Sequence, residues 1–312
     1  MDMGLKAANM IMDEVKKVII GKEDIIKKTM ICILAQGHIL IDDIPGVGKT
    51  TLAVAFSKAM ALKQNRIQFT PDVMPSDVTG FSIYNKEKNT FEYKKGAVMC
   101  NMLLADEINR TSSKTQSSLL EAMEEKKVSV DGKVYHLPNP FIVIATQNPV
   151  GSIGTHMLPE SQLDRFTMRL TMGYPSVEDE INMLKGKHRN NPMDSVDPII
   201  DDKGLLYMQR KVDEVFIHDS IYEYVSKIAA ATRSHPDVQL GVSPRGSVAI
   251  CNVAKANAFI SGRDYVVPDD VRVVLIDTLS HRMLLNSKSR AGRRSVIDIL
   301  YEIIQGISIQ QV

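Results

Sequence analysis

His38-Ile39-Leu40-Ile41-Asp42-Asp43-Ile44-Pro45-Gly46-Val47-Gly48-Lys49-Thr50-Thr51 is the stretch that decides the fold. A short apolar run, His38–Asp42, enters a turn built from Pro45, Gly46 and Gly48, and a helical pattern, Thr51–Leu62, follows at once. Strand, tight glycine turn and helix in that order form the opening unit of a parallel α/β sheet. Glycines let consecutive backbone N–H groups face one centre, with the positive end of a helix behind them, an arrangement that suits phosphate. Lys49 is placed to reach the outer phosphates, and the Thr50 hydroxyl to serve a Mg²⁺ ion. The full glycine pattern has Gly at position 43, where this chain has Asp43.

Working outward, four more apolar runs end in polar or turn residues: Arg66–Phe69, Met99–Ala105, Phe141–Ala145 and Phe166–Leu170. Runs apolar on both faces and separated by helical stretches such as Thr115–Glu125 predict a parallel sheet covered on both sides. Two alternating segments read as hairpins: Phe81–Tyr93, turning near Lys88-Asn89, and Lys127–Leu137, turning at Asp131-Gly132. Upstream, residues 1–18 and Glu23–Gln36 read as helices. From Ser176 the strand signal stops, and helices are expected at Val177–Lys185, Lys203–Val212, Asp219–Arg233, Pro244–Ser261, Pro268–Leu285 and Ser295–Ile307, with Asn190–Asp202 a loop. The expectation is an α/β unit over residues 1–175 and a smaller all-helical unit over residues 176–312.

Met102-Leu103-Leu104-Ala105 ends in Asp106-Glu107. A carboxylate pair at a strand end beside a phosphate loop suits cleavage of a phosphoanhydride, with Asp106 in the Mg²⁺ shell and Glu107 deprotonating the attacking water. Phe141–Ala145 leads to Thr146-Gln147-Asn148, where a neutral amide can place water without adding charge. Ligands gather at the carboxyl edge of such sheets, so Lys49, Asp106 and Asn148 are expected in one crevice.

Composition narrows the class. In 312 residues, 44% are apolar and 24% charged, with a net charge of +1, which excludes a disordered chain and gives no general attraction to nucleic acid or anionic membrane. Cys32, Cys100 and Cys251 are far apart and odd in number, predicting buried, reduced thiols. No apolar run approaches the roughly 18 residues of a membrane span, and the charged N-terminal segment does not read as a signal peptide, so a cytoplasmic setting is expected.

With these stretches in hand, the chain resembles the MoxR family of AAA+ ATPases. The likeness rests on IPGVGKT (44–50), LLADEINR (103–110), SKTQSSLLEAMEEKKVSVDG (113–132), FIVIATQNP (141–149), LPESQLDRF (158–166) and GVSPRG (241–246). The resemblance implies a RecA-like five-stranded parallel sheet with inserted hairpins and a helical lid, binding of ATP and Mg²⁺, and assembly into hexameric rings. It makes Pro45, Gly46, Val47, Gly48, Lys49, Thr50 and Thr51 the Walker A loop and Asp106 and Glu107 Walker B. Asn148 becomes sensor 1, Arg165 an arginine finger completing a neighbour's site, and Arg245 sensor 2, reaching from the lid to the nucleotide. Ile20 and Gly21 sit where family members pack the adenine. The implied work is remodelling, maturing or activating a client, a von Willebrand factor A-type protein being the usual class.

The chain departs from the family pattern at Asp43, at Gly151-Ser152-Ile153 and His156-Met157 before the finger, at Gly246 in place of alanine, and in the basic run Lys288–Arg294. Gly246 is expected to loosen its helix start. A nucleic-acid-stimulated motor, a weakly hydrolysing ATP-dependent scaffold and a P-loop kinase are the competing readings.

Overall fold

Alternation along three apolar strands organises the molecule. A computed structural model describes residues 3–44, 46–148, 157–186 and 192–307. Helices α1 (Met3–Lys16) and α2 (Glu23–Leu34) precede β1 (Ile39–Asp42), which feeds α3 (Lys49–Ala59) and β2 (Gln64–Gln68). A short helix α4 (Pro75–Thr79) leads into the hairpin of β3 (Gly80–Asn85) and β4 (Thr90–Lys95), then β5 (Met102–Asp106) and α5 (Ser113–Glu125). A second hairpin, β6 (Lys127–Val130) and β7 (Lys133–His136), precedes β8 (Ile142–Gln147), the one-turn α6 (Glu160–Leu163) and β9 (Met168–Leu170).

The five sheet strands are all parallel, in the order β2-β5-β8-β1-β9. Successive residues of a strand point to opposite faces. Ile39, Ile41, Met102, Leu104, Ile142 and Ile144 therefore enter one core, under α1–α3. Leu40, Leu103, Ala105, Val143 and Ala145 enter the other, under α5. All are essentially inaccessible to solvent, and at roughly 1.5–3 kcal/mol for each fully buried aliphatic chain these two layers dominate the stability of the sheet.

The remainder is mainly helical: α7 (Val177–Gly186), α8 (Asp202–Asp213), α9 (Asp219–Ser234), β10 (Val238–Leu240), α10 (Pro244–Ile260), α11 (Pro268–Leu279), β11 (Leu284–Leu285), α12 (Ser287–Ala291) and α13 (Val296–Gly306). Caps fix several starts: Asp201, Ser243 and Ser295 side chains accept the Gly204, Gly246 and Asp298 N–H groups. Helices α8–α11 and α13 share the α1–α3 core, with Leu205, Ile228, Val253 and Leu275 buried in the same cluster as Ile11 and Ile33. Among the described residues no helix is long and apolar enough to cross a membrane.

Several expectations are corrected. The C-terminal region is not purely helical, because β10 and β11 pair antiparallel; strands of two and three residues are too short to leave an alternating pattern. The helix expected over Pro268–Leu285 stops at Leu279, where a 3₁₀ turn, Ser280–Arg282, buries His281 and Arg282. Their hydrogen bonds to residues 164–167 pull the chain off the helix axis. Part of the expected Asn190–Asp202 loop forms a 3₁₀ turn, Pro192–Ser195. Cys32 and Cys100 are buried and free as expected, whereas Cys251 is only partly covered. Burial raises all three thiols, Cys100 to about 12. Pro45, the Gly151-Ser152-Ile153 segment and His156 lie outside the described residues.

Candidate nucleotide site

The carboxyl ends of the strands line up across one edge of the sheet. Gln68 pairs with Asp106 and Asp42 with Gln147, while the Asp43 N–H continues the ladder to the Gln147 carbonyl. The residues that follow those ends lie along one edge of the sheet. Beyond Asp42, Gly46 (φ +87°) and Gly48 (φ +97°) take left-handed backbone that side-chain-bearing residues avoid. A Cβ at Gly46 would meet nothing within 4 Å, so that glycine is required by its dihedral angle rather than by crowding. Val47, Thr50 and Thr51 are partly exposed, the last two in the first turn of α3.

Lys49 opens α3, and its Nζ donates to the carbonyls of Asp43 (2.6 Å) and Ile44 (3.1 Å). Burial lowers its pKa against the opposing pull of Asp43, Asp106, Glu107 and Asp42, whose carboxylates are near enough to act on it. Lys49 and the acidic pair are thus brought together. Asp106 is buried; Oδ2 pairs with Arg66 Nε at 2.7 Å, and Oδ1 accepts from Thr146 Oγ1 at 3.3 Å. Glu107 has left-handed backbone (φ +55°). Its N–H donates to Thr146 Oγ1 (2.9 Å), and its Oε2 accepts from Gln68 Nε2 (2.9 Å) and Arg110 Nη1 (2.8 Å). Asn148 directly follows β8, its carbonyl accepting from Asn109 Nδ2 at 3.3 Å, so it too lies at this edge.

Asp43, the departure from the glycine pattern, is buried, with both carboxylate oxygens held by backbone donors. Its Oδ1 accepts the Ile44 N–H (2.8 Å) and its Oδ2 the Gly173 N–H (2.6 Å). The turn holding Ile20 and Gly21 closes one flank of the loop: Ile19 Cδ1 comes within 3.9 Å of a Cβ built on Gly48, and a Cβ on Gly21 would lie 2.1 Å from the Asp179 carboxylate of α7. The glycine cradle, the Thr50 hydroxyl and the Asp106 carboxylate suit a nucleotide triphosphate with its divalent cation. Buried oxygens of Asp42 and Gln147 without hydrogen-bond partners among the described residues add unspent acceptor capacity at the same edge.

Arg165 and Arg245 are not at this edge. Arg165 immediately precedes Phe166-Thr167, and the Thr167 N–H donates to the His38 carbonyl at the amino end of β1. Arg165 Nε lies 3.0 Å from Glu124, and Arg245 Nη2 pairs with the same carboxylate. At about 3.3 Å per residue, β1 separates this rim from Asp43 by roughly 16 Å. Arg245, expected to reach from the lid to the nucleotide, is presented by α10 beside Arg165 at the opposite rim, where it pairs with Glu124. Gly246 is expected to loosen this helix start, and its surroundings bear on that expectation. It is buried in a capped first turn where a Cβ would come 2.7 Å from Val242 and 2.9 Å from Arg282.

Arg66, Gln68, Glu124 and Arg282 were missed in the sequence. Arg66 and Gln68 carried a usable signal, being two apart in a short strand and hence on one side of it, next to Asp106 and Glu107. Glu124 and Arg282 gave none, since charged residues in or after a helix ordinarily face solvent.

Residues 38–168 match the ATPase family associated with various cellular activities (AAA), and residues 230–303 match the AAA lid domain. The chain is 48% identical to the uncharacterized protein YeaC of Bacillus subtilis, over 95% of this chain and 93% of that one. It is 37% identical to the chaperone MoxR1 of Mycobacterium tuberculosis, over 96% of this chain and 81% of the relative. A crystal structure of a proposed ATPase from Cytophaga hutchinsonii superposes with a TM-score of 0.91 at 38% identity, covering 99% of this chain and 97% of the other. A glycine cradle and acidic pair on a five-stranded parallel edge, carried by a sequence this close to MoxR1 along nearly its whole length, place the chain in the MoxR family of AAA+ ATPases.

Proposed function

We propose that this chain is a Mg²⁺-dependent ATPase that works as a hexameric ring, with residues 1–175 as the nucleotide-binding core and residues 176–312 as the lid. The observation that carries the reading is the division of the site. Lys49, Asp106 and Glu107 occupy one rim of the sheet, while Arg165 and Arg245 occupy the other. A complete pocket then needs the arginine rim of an adjoining subunit.

Within the pocket, the loop N–H groups from Gly46 to Thr51 hold the phosphates, Lys49 neutralises them, and Ile20 and Gly21 flank the base. Thr50 and Asp106 would hold magnesium, which would supply charge neutralisation on the phosphate oxygens. Among the described residues both hydrogen bonds to the Glu107 carboxylate fall on Oε2, which leaves Oε1 to accept a proton from water. Asn148 orients that water. The neighbour's Arg165 spreads charge from the departing phosphoryl group, an effect of about 10³–10⁵ in rate. Arg245 beside it extends the same positive surface. The energy released serves a chaperone role of the kind named for MoxR1, with a von Willebrand factor A-type protein as the client in a cytoplasmic setting.

The weakly hydrolysing scaffold reading draws on Asp43 and on the Gly151-Ser152-Ile153 segment; both Asp43 oxygens are engaged by backbone N–H groups, and the segment lies outside the described residues. Near-neutral charge offers a nucleic-acid motor nothing. Complementation tests the shared site. Lys49→Ala should lose nucleotide binding. Glu107→Gln and Arg165→Ala should each bind ATP, with turnover reduced at least about 100-fold. Mixing the last two should restore part of the turnover, because some interfaces then combine an intact Glu107 with an intact Arg165. A mixture that assembles and stays inactive overturns the reading.

A further inference from the structure

We propose that Asp164 and Arg282 are positioning residues that fix Arg165 and Arg245 as a single two-pronged unit. The inference rests on the shared-site reading and adds to it what holds the donated arginines in place. Arg282 is 4% exposed, although a guanidinium is costly to bury unless its donors are satisfied. Here they are. Nε pairs with Asp164 Oδ1 at 2.7 Å, Nη2 donates to the carbonyls of Asp164 (3.1 Å) and Phe166 (2.7 Å), and Nη1 donates to that of Thr167 (3.1 Å) and to that of Thr278. One side chain from the C-terminal region therefore grips the backbone on both sides of Arg165.

The other prong is tied to the same carboxylate. Ser243 Oγ donates to Asp164 Oδ2 at 2.9 Å and accepts the Gly246 N–H at 3.2 Å, capping the helix turn that carries Arg245. Gly246 leaves the space that the Arg282 stem fills. Both arginine tips then converge on Glu124, which is 36% exposed and faces the rim. A triphosphate carries more negative charge than one carboxylate, so the tips can exchange Glu124 for a neighbour's nucleotide. The Asp164–Arg282 pair keeps the two backbones in register while they do. Burial lowers the Arg282 pKa and the Asp164 partner opposes that shift, as expected for an arginine retained for its hydrogen bonds.

The test uses the full chain with Asp164→Asn, which keeps the shape and removes the charge. Turnover should fall by about 10- to 100-fold, the loss expected for reacting groups displaced by an ångström or so. Binding of a fluorescent ATP analogue to the variant's own pocket should stay within about twofold of the parent. Mixing Asp164→Asn with Glu107→Gln should restore turnover, and adding Asp164→Asn to Arg165→Ala should cost little more, since the two act as a unit. Parent-like turnover, loss of nucleotide binding in parallel, or a full multiplication of the two defects overturns the proposal. If Asp164→Asn lacks a cooperative thermal transition, Arg282→Lys, which keeps the charge and loses the fork, carries the same expectations. The control mixture of Arg165→Ala with Glu107→Gln separates the claims. If the control stays inactive, the shared site fails and takes this proposal with it. If the control recovers and the Asp164→Asn mixture does not, only the positioning role fails.

Discussion

Asp43 shows how one side chain can look hostile in sequence and prove supportive in place. A carboxylate aimed into a phosphate cradle would repel its ligand, but this one spends both oxygens on backbone donors, one in the loop itself and one at Gly173, 130 residues away. Hydrogen bonds to a charged acceptor contribute about 1.5–3 kcal/mol each, so Asp43 fastens the head of the loop to the segment that leads into the C-terminal helices. Asp43→Gly would restore the glycine pattern and remove both bonds. The expected outcome is a loss of about 2 kcal/mol or more in urea unfolding, with far weaker effects on nucleotide affinity than Lys49→Ala. Unchanged stability would remove the fastening role. Lys49, Asp106 and Glu107 were legible because each follows an apolar strand within a few residues. The orientation of Asp43 was not, because its partner lies so far along the chain.

Elements divide along the same line, between what neighbours in sequence dictate and what distant packing imposes. The β6–β7 hairpin was legible because Asp131 and Gly132 both adopt positive φ, the backbone a two-residue turn requires. The end of α11 was not, because Arg282 stops it by reaching across to residues 164–167. The start of α10 sets local preference against packing. Alanine is favoured over glycine in a helix by about 1 kcal/mol, whereas forcing a methyl into a filled core costs about 1–3 kcal/mol. At Gly246 the imagined Cβ lies 2.7 Å from Val242 and 2.9 Å from Arg282, so packing wins. Gly246→Ala should lower the thermal midpoint despite its better helix propensity, and a raised midpoint would show that Arg282 yields easily.

At the scale of the whole molecule, the N-terminal helices join sheet and lid. Lys28 of α2 pairs with Asp277 of α11 at 2.8 Å, and the core beneath is continuous from α1 to α13. Two buried histidines stand at the arginine rim. His38 Nδ1 accepts the Val143 N–H at 3.0 Å, so the proton is on Nε2, which faces the Met123 carbonyl at 3.3 Å. Burial holds His38 down at about 4, and also lowers His281, whose Nε2 is 2.9 Å from the Phe166 carbonyl. An unfolded histidine protonates near 6.5. A folded pKa below the unfolded one means that unfolding takes up protons, so stability is full above about 6.5 and declines as the pH falls toward 4. For His38 alone the linkage gives about 1 kcal/mol lost between pH 7.5 and 5.5, with His281 adding in the same direction. Burial raises Asp277, which acts in the opposite direction, so the two histidines are tested by what their substitution does to the slope. Urea unfolding at pH 7.5, 6.5 and 5.5 should follow this decline, and His38→Gln should flatten it whatever its effect at pH 7.5. A slope unchanged by that substitution would mean that the imidazole is already protonated inside the folded protein, and that the rim tolerates a charge between Met123 and Val143.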